Sequence, residues 1–171
     1  VTDLTGTGES TVVLTWSAPM IAAEAIVDDM EKYESWIIDN IGDYTVVDAD
    51  NFGTYGIQGY DWLNANGPKA WQVWTPSELG ISTEVWLPYS GDKCLAAFAC
   101  WDGAASDWLI SPEIAGGTEM SFYANIPTVD YGPETFEILY STTDTDINSF
   151  QLLSSESKGT EGWEQFTYTL P

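Results

Sequence analysis

The chain has 171 residues, with 27 Asp and Glu against 4 Lys, no Arg and no His, for a formal net charge of -23. A polyanion offers no electrostatic footprint for nucleic-acid phosphates or an anionic membrane surface, and the lack of imidazole excludes a Ser-His-Asp triad, a Cys-His dyad and any His-ligated metal centre. At 44% apolar and 14% aromatic, the sequence is too rich in core formers to be an acidic disordered tail.

The opening VTDLTGTGESTVVLTWSAP predicts two short strands around a turn at Gly8-Glu9-Ser10. Val12, Leu14 and Trp16 share one face, Val13 and Thr15 the other, and Pro19 ends the run. So small a hairpin cannot bury Trp16 by itself. The next segment is ambiguous. Ala22, Ile26, Met30, Tyr33 and Ile37 recur at the spacings of an amphipathic helix stopped at Gly42, while AIVDDM also reads as a short strand leading into a loop.

Further along, period-two alternation takes over. The run Cys94 to Trp101 is apolar on both faces, as in a central strand covered on each side. Met120, Phe122 and Ala124 alternate with Ser121, Tyr123 and Asn125; Phe136, Ile138 and Tyr140 alternate with Glu137, Leu139 and Ser141; Phe166, Tyr168 and Leu170 repeat the scheme. Clusters at Gly53 to Gly59, Gly67-Pro68, Gly116-Gly117 and Gly132-Pro133 supply turns. The predicted fold class is all-β: a two-layer antiparallel sandwich, with a jelly roll as its expected form.

Cys94 and Cys100 sit in KCLAAFACW. On an extended strand their Cα atoms would lie about 20 Å apart, beyond the ~7 Å reach of a disulfide. They read as small buried hydrophobes, and no His or Arg is at hand to stabilise a thiolate. Of the nine Trp, Trp16, Trp71, Trp101 and Trp108 are assigned to cores. Tyr60 and Trp62 in GIQGYDWLNANG, and Trp86 and Tyr89 around LPYSG, fall in segments without alternation and are the candidate ligand-contacting aromatics, with packing over loop edges as their competing role. No stretch approaches the ~20 apolar residues of a membrane span, and the first residues lack the pattern of a signal peptide, so direct membrane insertion is not expected. A Lys-poor composition rich in Asn, Gly, Ser, Thr and aromatics fits an exported or cell-surface protein.

Several strings in order resemble a known family. VTDLTGTGESTVVLTWSAP is similar to the first two strands of a fibronectin type III module. DDMEKYESWIIDNIGDYTVVDADNFGTYG, AWQVW, LPYSGDKCLAAF, SDWLISPEI, MSFYA, YGPETFEILYSTT and WEQFTYTLP together resemble the cleaved-adhesin, or choice-of-anchor J, group of MAM-like jelly rolls. The resemblance implies a fibronectin-like piece over residues 1–19 and a jelly-roll domain over 20–171, within a larger multidomain chain. It favours strand over helix at DDMEKYE. Members of the family carry further strands after the Leu-Pro matched by Leu170-Pro171, so the jelly roll is expected to be incomplete at its C-terminal end and to leave an edge open. At VDADNFG, Asn51 stands where the family more often has Gly, and Asn tolerates the left-handed backbone of such a turn.

The resemblance also implies structural calcium near the acidic start of the jelly roll, with Asp29 and Glu31 as ligands and Asp48, Asp50 and Asp107 as further candidates. Calcium takes six to eight oxygen ligands, which clustered loop acids can supply; the competing role of these acids is as solvated turn residues or local caps. Asp48-Ala49-Asp50 starts like an EF-hand loop, but Phe52 at position five and Gly59 at position twelve exclude one. Catalysis has little to stand on. Glu134 and Glu137 lie three apart and so point to opposite faces of a strand, and Ser111 has no base. The expected function is a non-catalytic, secreted or surface adhesin-type module binding host protein or carbohydrate, with a spacer or accessory domain of a larger secreted protein as the alternative and a glycoside hydrolase a distant third.

Overall fold

The computed structural model describes residues 27–171; the fibronectin-like hairpin over 1–19 and the start of the ambiguous segment lie outside the described residues. The described chain is all-β, with three short 3-10 turns and ten strands. The strands pair as five antiparallel two-stranded ribbons. β1 (Thr45–Asp48) runs against β6 (Asp107–Ile110), β2 (Gly53–Thr54) against β3 (Gly67–Pro68), and β4 (Gln72–Trp74) against β5 (Cys94–Ala96). The longest ribbons join β7 (Glu119–Ile126) to β10 (Gly162–Thr169) and β8 (Glu134–Tyr140) to β9 (Gln151–Lys158), the latter with a register slip at Ile138/Leu139.

Alternation in the sequence becomes alternation in burial. In β7, Met120 and Phe122 turn inward while Ser121 and Tyr123 face out, and in β10 Phe166 and Tyr168 turn inward. Phe122 then meets Phe166 at 5.7 Å, Tyr168 at 6.1 Å and, across to the other long ribbon, Phe136 at 6.2 Å. Phe136 and Phe166 close the group edge-to-face at 5.2 Å. Side chains thus join two ribbons that no ladder connects, and each such aromatic pair adds about 0.5–1.5 kcal/mol beyond the area it buries.

A second core forms on β4, whose three residues are all buried. Trp74 and Trp62 pack at 5.3 Å, Trp36 leans on both at 5.4 and 6.1 Å, and Phe98 caps both at 5.7 Å. Indole N–H groups and loop carbonyls inside such a cluster need partners. Gln72, fully buried, supplies them. Its Oε1 accepts from Trp62 Nε1 at 2.9 Å, and its Nε2 donates to the carbonyls of Trp36 and Leu63 at 2.7 and 2.8 Å.

Three expectations are corrected. DDMEKYE is neither strand nor helix but a series of turns, with left-handed backbone at Met30, φ 67°, and again just past the segment at Trp36, φ 68°. Asp28 accepts from the Met30 N–H and the Tyr33 hydroxyl, local bonds that compete with a regular ladder, and Trp36 beyond them packs on Trp74 of the β4 core. The Cys94 to Trp101 run is a strand only to Ala96; it then leaves the β4 ladder, and Cys100 makes a single bridge to Thr54. Trp101, assigned to a core, is 57% exposed and leans on Tyr55, whereas Trp71 and Trp108 are half-buried. Cys94 and Cys100 are both free thiols.

Candidate metal centre

The acids form two separate groups. Around the Asp28 turn, Asp29 accepts from the Glu31 N–H at 3.2 Å, and Glu31 Oε1 accepts from the backbone N–H groups of Asp92 and Lys93 at 2.8 and 2.9 Å. Glu31 therefore clamps the turn at Gly91, where φ is 67° and a Cβ would collide with its carboxylate. Among the described residues Asp29 and Glu31 belong to no cluster of three ligating side chains, and their bonds there are those of a turn cap and a loop clamp.

The second group is tighter. Asp48 and Asp107 are register partners at the end of the β1–β6 ribbon. Past Asp48 the chain turns through Asn51, which takes the left-handed backbone at φ 55° that the sequence allows for. Asp48 accepts from the Asn51 N–H at 2.6 Å and Asp50 Oδ1 from the Phe52 N–H at 2.7 Å, while Asp50 Oδ2 accepts from the Ser106 N–H. These bonds fold the Asp48-Asp50 loop back over β6, aided by the Ala49 N–H on the Ser106 carbonyl at 3.0 Å. Cys100 arrives from the other side on its bridge to Thr54. Among the described residues, one group of three ligating side chains results: a ligand atom each from Asp50, Cys100 and Asp107, all within 4.8 Å of one another.

Asp107 is the unusual member. Both its carboxylate oxygens are buried without any hydrogen-bond partner. Burial, followed by the charges of Asp50 and Asp48, pushes its carboxyl up to about 7, while Lys69 acts in the opposite direction. Lys69 is itself 3% exposed, donates to Thr54 Oγ1 and to the Ala65 carbonyl, and lies 4.8 Å from the centroid of the Phe98 ring. Its burial lowers its own pKa, opposed by Cys100 and Asp107. A buried carboxylate with no donor, beside two further acids, costs free energy as the chain stands, and a bound cation would remove that cost.

The four candidate aromatics separate by exposure. Trp62 is only 8% exposed and is committed to the β4 core, which fits the packing role rather than the ligand-contacting one. Trp86 is half-buried against the same core, with its carbonyl accepting from Trp74 Nε1 at 3.1 Å. Tyr60 and Tyr89 remain exposed, at 42% and 54%. Tyr89 stacks on Tyr123 with centroids 3.7 Å apart and meets Trp163 edge-on at 6.0 Å. The Tyr123 hydroxyl donates to Gln165 Oε1 at 3.3 Å. Tyr123, Gln165, Lys69 and Cys100 escape a reading of the sequence. The first two show only as outward positions of strands, and the last two need the β2 bridge and the β5–β6 loop to meet.

No helix among the described residues is long and apolar enough to cross a membrane. Set against family models, curated proteins and solved structures, the chain matches none.

Proposed function

We propose that the chain is a non-catalytic, adhesin-type jelly-roll module, exported to the cell surface or medium as part of a larger protein, that binds host protein or carbohydrate and is stabilised by a bound dication. The observation that carries the binding reading is the exposed Tyr89–Tyr123 stack, bordered by Trp163 and by the amide of Gln165. Flat aromatic faces beside neutral amide and hydroxyl groups suit hydroxylated or peptide ligands, and on a chain of net charge -23 a neutral patch favours uncharged partners over anionic ones. Support for the dication comes from the unpartnered Asp107 carboxylate beside Asp50 and Asp48. Calcium is the ion the sequence resemblance implies.

Binding to glycan and host-protein arrays, with and without calcium, tests this reading, together with a Tyr89→Ala variant. Retention of specific partners by the parent chain and their loss in the variant is the expected result. Absence of any partner points to a spacer, and turnover of a chromogenic polysaccharide to a hydrolase.

A further inference from the structure

The calcium reading counts only oxygens, and Cys100 disturbs it. Its Sγ lies within 4.8 Å of ligand oxygens from both Asp50 and Asp107. Thioether and thiolate sulfur are soft donors that hard cations avoid, whereas zinc and its neighbours accept mixed sulfur and carboxylate sets. The oxygen supply points the same way. Three of the four carboxylate oxygens of Asp48 and Asp50 already accept backbone N–H groups, which leaves the two free oxygens of Asp107 as the strongest open donors and Asp50 able to give an ion only the second lone pair of an oxygen already bonded. A calcium ion wanting six to eight oxygens would have to fill much of its shell with water at this site, while a four-coordinate ion needs only what is present plus one more ligand.

We propose that the Asp50–Cys100–Asp107 cluster is a site for a borderline, thiophilic dication of the zinc class, with Cys100 as a thiolate ligand and calcium a weaker occupant. The proposal rests on the dication reading above and names its ion. Tetrahedral legs of about 2.0–2.3 Å place ligand atoms roughly 3.3–3.8 Å apart, and side-chain rotation can bring a cluster lying within 4.8 Å to that spacing. On binding, the Cys100 S–H bond breaks, its proton leaves to solvent, and the sulfur lone pair forms the bond to the ion. The two carboxylates and the thiolate exceed the ion's charge by one, and the buried Lys69 side chain stands beside them as the nearest source of a balancing charge.

The test uses the reduced, chelator-treated chain with Zn2+, Ca2+ and Co2+ as separate probes. Zinc is expected to raise the melting temperature at far lower concentration than calcium. Cys100→Ser should weaken zinc by about ten-fold or more and leave calcium unchanged, while Cys94→Ser alters neither. Cobalt should give a thiolate-to-metal charge-transfer band that disappears in Cys100→Ser. The band in the unmutated chain needs no variant, so a folding defect in Cys100→Ser, visible by circular dichroism, does not remove the test. If cobalt gives no such band, or zinc binds Cys100→Ser as tightly as the parent, the proposal is overturned. The dication reading then still stands provided Asp107→Asn abolishes the remaining cation effect. If no ion shifts the melting of the parent chain, both fall.

Discussion

Asp48 and Asp107 stand opposite each other at the end of the β1–β6 ladder, two acids facing across a position where like charges ordinarily destabilise a sheet. The repulsion is local and has a measurable signature. Folding takes the Asp107 carboxyl from 3.8 up to about 7. An acid whose folded value is raised opposes folding as it ionises. The native state gains nothing from it below the unfolded value, and the penalty grows as pH rises from near 4 to near 7 and is complete above that.

In chelator, therefore, the melting temperature should fall between about pH 4 and about pH 7, and Asp107→Asn should remove part of that slope. After discount for solvent screening the difference is about 1 kcal/mol, or ~2–4 °C in a chain of this size. Parallel melts of parent and variant across the window check it. Equal slopes would place the pH dependence in the general excess of acids.

Gln72 supports a second prediction. Gln72→Leu roughly keeps the volume but strands Trp62 Nε1 and the Leu63 carbonyl, while the Trp36 carbonyl keeps the Asn64 Nδ2 donor at 3.2 Å. With two groups left unpaired, the expected loss is about 2 kcal/mol or more in denaturant unfolding. A loss under about 1 kcal/mol would mean that water reaches these groups.

Lys158 and Glu164 give opposite signs within one pair. The Lys158 side chain is buried at 1% exposure and its Nζ lies 3.3 Å from Glu164, which is 53% exposed. Glu164→Gln leaves a buried ammonium short of its counter-charge and should cost about 1–3 kcal/mol. Lys158→Met frees only a solvated carboxylate and should be neutral to within about 1 kcal/mol. Chemical denaturation of the two variants makes the comparison.

Gly91→Ala tests the Glu31 clamp. The new Cβ would meet the Glu31 carboxylate, at a backbone angle that L-residues resist, so stability should fall by about 1–2 kcal/mol. Glu31→Gln keeps an acceptor for the Asp92 and Lys93 N–H groups and should cost less, and calcium affinity should be the same in both variants and the parent. A loss of calcium affinity in Glu31→Gln alone would return Glu31 to the role of ligand.

Strand periodicity was the most legible part of this sequence. β7 and β10 carry alternation because each residue has one inward and one outward choice, and the structure follows it from Glu119 to Ala124 and from Gln165 to Thr169. In the sequence Trp62 stays open between packing and ligand contact for the opposite reason. Its glycine-rich surroundings have no period, and its burial depends on Gln72, ten residues away, offering an acceptor. At the acid cluster the Asp48–Asp50 turn could be read from its own residues. Cys100 could not, since its approach to Asp107 is set by a bridge to Thr54 that no local pattern announces.

Trp36, Trp62 and Trp74 lie 5.3–6.1 Å apart at steep mutual tilts. At that spacing their transition dipoles couple, and the three indoles behave as one chiral chromophore. The protein thereby carries an optical gauge of tertiary order: a couplet in its circular dichroism that reports the β4 core alone. Its decay on heating, compared with a signal from Tyr89 and Tyr123, will tell whether the two aromatic regions melt as one unit or in turn.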